Sequence, residues 1–326
     1  FKRIMKAIDI EKDQLILKEF KNPIPGAGEV LIKVAATAVN RADLVQRSGA
    51  YPPPRGASQI LGLECSGEVM ALGDGEEGFK VGDKVCALLT GGGYAEQVTV
   101  PSGQVLPIPS GFDLHLAAAI PEVFCTAYLN LYKEANLIPK EKVLLHAGAS
   151  GVGTAAIQLC KASGNPCFIT AGNTKKIKYC QDLGADGGTV RDEEGFLEEV
   201  SKWTEHAGVD VILDPVGATY LADNLKSLAI DGRLVLIGLM GGIETKVDLS
   251  LVLMKRIRLI GSTLRARSVP FKTKLMEEMH KKVWPLFEKG EIKPVIDKYL
   301  TLEHAEEAHK FVASNESIGK VVLTLE

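Results

Sequence analysis

Val143-Leu144-Leu145-His146-Ala147-Gly148-Ala149-Ser150-Gly151-Val152-Gly153-Thr154-Ala155-Ala156 is the stretch that decides the fold. An apolar run of the kind that forms a buried strand passes into a turn built on Gly148, Gly151 and Gly153, then directly into a helical pattern. Small residues there permit a tight turn and let a phosphate approach the backbone, while the free N–H groups at the helix start face an anion. The spacing is not G-x-G-x-x-G, so the plain dinucleotide fingerprint is absent, and a simple strand-to-helix connection competes with the nucleotide reading. The surroundings decide between them. Apolar, mostly β-branched runs lie at 143–146, 167–170, 209–213, 234–237 and 257–261, with a weaker one at 187–190. Helical patterns fill the gaps at 151–163, 175–183, 195–205, 219–228 and 249–255. Strands alternating with helices of this length predict βαβ units and a parallel sheet with helices on both faces. Nearly continuous apolar runs fit strands buried on both faces, and six of them suffice for a doubly wound Rossmann sheet.

The end of the second run bears on which nucleotide is held. A site for an unphosphorylated ribose usually places Asp or Glu about 20 residues after the turn, to bind the 2′-hydroxyl. Here the run ends in Ala171-Gly172-Asn173-Thr174-Lys175-Lys176, with no acid. A carboxylate would repel a 2′-phosphate, whereas Gly172, Asn173 and Lys176 would receive one. The expected cofactor is therefore NADPH, with Arg191 near the end of the third strand as a further candidate at the adenine end.

The rest of the 326 residues frames this unit. The first ~115 read as short strands broken by Gly and Pro, which predicts a barrel or sandwich. After the sixth run the rhythm stops, and the last sixty residues are expected to return to the first domain. The expected division is 1–120 plus 266–326 around an inserted 121–265. With 46% hydrophobic residues and a formal net charge of −3 the chain is a folded globule, and no basic run points to nucleic acid. No stretch approaches the ~18 apolar residues of a membrane span, and Phe1–Lys6 does not read as a secretory signal, so a cytoplasmic protein without membrane partners is expected. Met5-Lys6-Ala7 reads as a natural start, leaving Phe1–Ile4 as extraneous. Six cysteines form no C-x-x-C pair or zinc-spaced cluster and read as reduced, mostly buried thiols. His304 and His309 read as surface or packing residues, and no metal site is expected.

The run 146–157, together with Gly62-Leu63-Glu64-Cys65-Ser66-Gly67-Glu68-Val69, Val39-Asn40-Arg41-Ala42-Asp43, Tyr51-Pro52-Pro53-Pro54, Ala117-Ala118-Ala119-Ile120-Pro121-Glu122, Ile237-Gly238-Leu239-Met240-Gly241-Gly242 and Gly319-Lys320-Val321-Val322-Leu323, resembles the medium-chain dehydrogenase/reductase superfamily. Within it the chain is similar to the zinc-free NADPH:quinone oxidoreductase branch that includes zeta-crystallin. The resemblance runs the length of the chain. It implies a GroES-like β-rich domain around a six-stranded Rossmann domain, with the active cleft between them. Zinc alcohol dehydrogenases of that superfamily need a Cys where this chain has Asn40 and a His where it has Leu63. Neither replacement can ligate Zn²⁺, and the four-cysteine structural lobe is missing.

The resemblance also implies site residues. Thr126 would open a helix facing the nicotinamide. Ser150, Gly151 and Val152 would cradle the pyrophosphate, beside Gly148 and Gly153 of the turn, and Lys176 would pair with the 2′-phosphate. Gly238, Leu239 and Met240 would lie under the nicotinamide ribose, with Leu264 and Arg265 after the sixth strand and Asn315 reaching in from the C-terminal segment. Tyr51 is the expected contact for nicotinamide or acceptor, and Asn40 the residue that orients the nicotinamide end. The implied activity is hydride transfer to a quinone, which needs proximity and a dry slot more than an acid–base residue. An NADPH-dependent reductase of alkenals or enones is the alternative within enzymes. A non-catalytic NADPH-binding or RNA-binding protein is the alternative of another class. The sixth strand would be an edge that invites a second copy, so a homodimer, or a dimer of dimers, is expected.

Overall fold

The structure, a computed structural model, describes residues 4–191 and 195–325. The expectation about Phe1–Arg3 lies outside them. The chain forms two compact units: one runs up to Cys125 and resumes at Leu264, and the other is Thr126–Thr263.

In the second unit the strands are Val143–Leu145, Cys167–Ala171, Gly187–Val190, Val209–Asp214, Leu228–Leu236 and Arg258–Gly261. All pair in parallel. Their spatial order is third, second, first, fourth, fifth, sixth, the doubly wound Rossmann arrangement that the alternation predicts. The order in which strands are added to the sheet reverses between the first and fourth strands, and the carboxyl ends of strands at such a switch point are where this fold class binds ligands. Leu144, Phe168, Ile212 and Leu234 of the sheet pack on Phe196, Val200 and Leu225 of the helices, so the core supplies the alternation's driving force. The helix Gly151–Ser163 begins at the Ser150 N-cap and stops at Gly164, whose φ of 74° suits only a residue without a Cβ penalty. The fifth strand starts at Leu228, not 234. Ile230 and Asp231 are exposed, so the apolar run that marks the buried part begins only after them.

The first unit is β-rich. Ile4–Glu11 and Gln14–Lys21 form an antiparallel hairpin. A second sheet runs in the order Ile296–Thr301, Lys320–Thr324, Glu29–Ala38, Glu64–Leu72, Lys84–Leu88, Val105–Pro107, with Gln97–Pro101 also on Glu29–Ala38. Val322 stands opposite Ala38, which stitches the C-terminal strand to the N-terminal part of the chain. Val30, Ile32, Val69, Val85 and Val98 fill the core between these strands.

The segment 114–134 is helical, in the pieces Leu114–Ala117, Pro121–Tyr128 and a wider-turn stretch Leu129–Glu134. The helix expected to open at Thr126 begins earlier, at Pro121, and nothing ahead of it reads as a helix in the sequence because Ala117–Ile120 are apolar and fully buried all round and show no amphipathic period. Leu114–Glu134 is also long and apolar enough to cross a membrane, contrary to the sequence reading, but 72% of its apolar window is buried inside the protein, as in the core helix of a globular fold. All six cysteines are free and buried, as expected.

Candidate active site

The glycine-rich turn of the second unit is held by its own hydrogen bonds. Ser150 Oγ accepts the Gly153 N–H at 3.0 Å, and the Gly148 N–H donates to Thr170 O at 2.8 Å. A Cβ on Gly153 would sit 2.4 Å from Ala147 O, and one on Gly148 would sit 2.6 Å from Ile169 Cβ. Both positions therefore require glycine, Gly153 for the close approach of the turn's own backbone and Gly148 for the close approach of the branched Ile169 side chain. With Gly153 satisfied by the cap, helix geometry leaves the N–H groups of Gly151 and Val152 for an anion. These half-buried residues fit the pyrophosphate of a dinucleotide.

Beneath the turn lies a network that the sequence did not announce. His146 is buried, with Nδ1 3.0 Å from Thr170 Oγ1 and Nε2 2.7 Å from Asn224 Oδ1. Asn224 Nδ2 donates to Asp214 Oδ2 at 3.0 Å, and Asp214 accepts the N–H groups of Val216 and Gly217. The amide oxygen of Asn224 requires Nε2 to be the donor, and burial pushes the ring's pKa down to about 4. The network fixes the loops at the ends of the first and fourth strands, on either side of the switch point.

At the end of the second strand Asn173 caps the helix Thr174–Leu183, its side chain accepting the Lys176 N–H at 2.9 Å. Lys176 is buried, whereas Lys175 is exposed. Gly172 has open space where a Cβ would stand. Arg191 is exposed just after the third strand. After the fifth strand Gly238 packs against Pro215, and Leu239 and Met240 are half exposed. The Thr126 carbonyl accepts from Asn130 Nδ2.

The first unit contains a buried ionic cluster. Lys320 Nζ donates to Glu64 Oε1 at 2.8 Å, to Asn40 Oδ1 at 2.6 Å and to Val39 O at 2.9 Å. Asn40 Nδ2 donates to the same Glu64 Oε1, and the Glu122 N–H donates to Glu64 Oε2. Asp43 closes a capping box with Asn40 and accepts the Gly62 N–H. It also accepts the Tyr94 hydroxyl, which in turn receives His309 Nε2–H at 3.0 Å. Burial raises the Asp43 pKa to about 6 and the Glu122 pKa to about 8, the latter also through the Glu64 charge. His309 is thus a buried hydrogen-bonding residue, while His304 is exposed.

Tyr51 is half-buried, and its ring centroid lies 5.3 Å from the Arg265 guanidinium carbon. Arg265 Nε donates to Thr90 O at 2.9 Å and Nη2 to Gln46 Oε1 at 2.7 Å. Leu264 is buried. Asn315 Oδ1 accepts from Arg41 Nη2 at 2.7 Å.

With this geometry in place, likeness to known proteins is informative. Residues 26–110 match the model of the alcohol dehydrogenase GroES-like domain, and residues 151–281 that of the zinc-binding dehydrogenase. The quinone oxidoreductase of Rattus norvegicus is 32% identical over 93% of this chain and 91% of its own. The chain belongs to the medium-chain dehydrogenase/reductase superfamily. Among solved structures, mycobacterial Rv1454c complexed with NADPH is 29% identical, covers 98% of this chain and all of its own, and has a TM-score of 0.88. CurK enoyl reductase is 28% identical, covers 99% of each chain, and has a TM-score of 0.87.

The superfamily makes the protein a nicotinamide-nucleotide-dependent oxidoreductase and raises the question of zinc. The donors present do not fit it. Asn40 offers an amide and Leu63 a hydrocarbon where a thiolate and an imidazole are needed. The carboxylate next to Leu63, Glu64, already faces the Lys320 ammonium. Among the described residues no group of three or more His, Cys, Asp or Glu could hold a metal ion. These are features of the zinc-free quinone oxidoreductase branch.

Proposed function

We propose that the protein reduces a flat, conjugated acceptor, a quinone, with NADPH as the hydride donor. The observation that carries the choice of nucleotide is the end of the second strand: no carboxylate, open space above Gly172, and Lys176 on the first turn of the next helix. Similarity to a quinone oxidoreductase over nearly the whole chain supports the choice of acceptor. When bound, NADPH supplies a hydride. The chain's own part is to hold and orient. The turn amides of Gly151 and Val152 grip the pyrophosphate, with Gly148, Ser150 and Gly153 keeping the turn's shape. Gly172, Asn173, Lys176 and Arg191 take the adenosine end, and Gly238, Leu239 and Met240 support the nicotinamide ribose. In the other unit Tyr51 meets the acceptor, and Asn40, clamped by Glu64 and Lys320, is a fixed amide for orientation.

Loss of a charge-assisted hydrogen bond costs about 1.5–3 kcal/mol. Lys176→Ala should therefore raise the KM for NADPH by about 10-fold or more and leave that for NADH nearly unchanged. Steady-state kinetics with both nucleotides checks this, and equal changes would remove the 2′-phosphate assignment.

A second reading, reduction of an activated C=C, is favoured by the likeness to CurK enoyl reductase. It needs the same cofactor and slot, and relative kcat/KM for a quinone and an α,β-unsaturated ketone separates the two.

We also propose a homodimer paired along the edge strand Arg258–Gly261, which exposes Leu259 and follows a helix, Leu249–Met254, that exposes Leu249, Leu253 and Met254. Sedimentation at micromolar concentration should give twice the chain mass, and a monomer would refute the pairing.

A further inference from the structure

Arg265 and Lys272 are buried side by side in the first unit, 4% and 2% exposed. Lys272 Nζ donates to Thr90 Oγ1 at 2.9 Å and to Arg265 O at 2.6 Å. Arg265 spends two of its nitrogens on Thr90 O and Gln46 Oε1. All four acceptors are neutral, and neither cation makes an ion pair with a carboxylate among the described residues. The third guanidinium nitrogen, Nη1, is buried with no hydrogen-bond partner. Buried cations are normally paired, and a buried guanidinium N–H without an acceptor carries its full desolvation cost. The titratable groups around them are Glu122, Asp43 and the Tyr51 hydroxyl. Burial and the Glu64 charge push the Glu122 carboxyl up to about 8, and neither Glu122 nor Asp43 makes a hydrogen bond or ion pair with either cation among the described residues. Tyr51, from its Pro-rich loop, lies over the guanidinium as a half-buried cover.

We infer that Arg265 and Lys272, beneath Tyr51, form a subsite for an anionic oxygen of the acceptor. The inference rests on the proposed reductase activity and deepens it. In that reaction the acceptor gains a hydride at carbon, and its conjugated electron pair moves onto the carbonyl oxygen. That oxygen then takes a proton from water, and the nicotinamide nucleotide is oxidised in balance. Preorganised donors aimed at such an oxygen act where the charge develops. This sets Arg265 against the acceptor and not the nucleotide. The same chemistry would also hold a permanent carboxylate on an acceptor.

The test uses the intact chain and the variants Arg265→Gln and Lys272→Gln, each checked for native circular dichroism. Three readouts are compared: kinetics with 1,4-naphthoquinone and with its 2-carboxylate, NADPH affinity by fluorescence, and the melting temperature of the nucleotide-free protein titrated with benzoate. Benzoate should raise the wild-type melting temperature, since a ligand that binds only the native state stabilises it, and should raise that of neither variant. If the developing oxyanion is the occupant, kcat for both acceptors falls about 100-fold with KM and NADPH affinity held. If a permanent carboxylate is the occupant, only the KM of the carboxylated acceptor rises, and the subsite stands with that source. The inference is overturned if benzoate stabilises all three proteins equally, or if NADPH affinity falls in parallel with turnover. Should the wild type bind NADPH yet reduce neither acceptor, the reductase reading fails, and the benzoate titration alone decides the subsite.

Discussion

Gly153→Ala is expected to abolish useful nucleotide binding, raising the NADPH dissociation constant by at least about 100-fold. The added Cβ would stand 2.4 Å from Ala147 O and 2.5 Å from Gly148 O, both backbone atoms of the same turn, so no side chain can swing aside. The turn itself must open. Opening it moves the Ser150 cap and the N–H groups of Gly151 and Val152, which grip an anion only while they point at one place. A misplacement of about 1 Å is enough for losses of about 100-fold. Overpacking also destabilises by about 1–3 kcal/mol. Fluorescence titration with NADPH checks the first effect and thermal melting the second. Unchanged affinity in a folded variant would mean that this turn does not hold the nucleotide.

Lys320→Met should destabilise the first unit by about 3–5 kcal/mol, because it leaves the fully buried Glu64 carboxylate without its cation. Asn40 would lose the ammonium that fixes its side-chain oxygen, and the Val39 carbonyl would lose its donor. A second change separates the cost of an orphaned charge from the loss of packing. Glu64→Gln on top of Lys320→Met removes the charge while keeping acceptors and donors of similar shape, so much of the lost stability should return. Denaturant unfolding of the wild type, both single variants and the double variant gives this coupling directly. Additive losses in the double variant would show that the pair is not coupled and that Lys320 acts by packing alone.

What was legible in the sequence follows from how its signals are carried. The Rossmann unit was readable because strands buried on both faces, such as Val143–Leu145 and Cys167–Ala171, are uniformly apolar, and amphipathic helices separate them. Its turn was readable because Gly153 serves a local backbone contact, with Ala147 and Gly148. The start of the fifth strand was hidden by the exposed Ile230 and Asp231, and the helices of 114–134 by apolar residues without a polar face. The β-rich unit showed its strands as short broken runs, but its ionic cluster joins residues far apart in sequence. Lys320 meets Asn40 across 280 positions, and Tyr94 meets His309 across 215. No local pattern announces such partners. For the same reason the role of His146 is invisible in the sequence of the turn, since Asn224 and Thr170 reach it only through the fold. Lys272 and Glu122 went unassigned as well. The Lys272 contacts with Thr90 and Arg265 give it meaning, as the Glu64 contact does for Glu122.

The central claim is that NADPH held on the Rossmann unit reduces a conjugated carbonyl acceptor without help from a metal. The most direct measurement follows NADPH oxidation at 340 nm with 1,4-naphthoquinone and with an α,β-unsaturated ketone, before and after exhaustive treatment with a zinc chelator, and with NADH in parallel. The account predicts turnover that prefers NADPH, favours the quinone and is unaffected by the chelator. Turnover lost on chelation and restored by Zn²⁺, or none with either acceptor although NADPH binds, would contradict it.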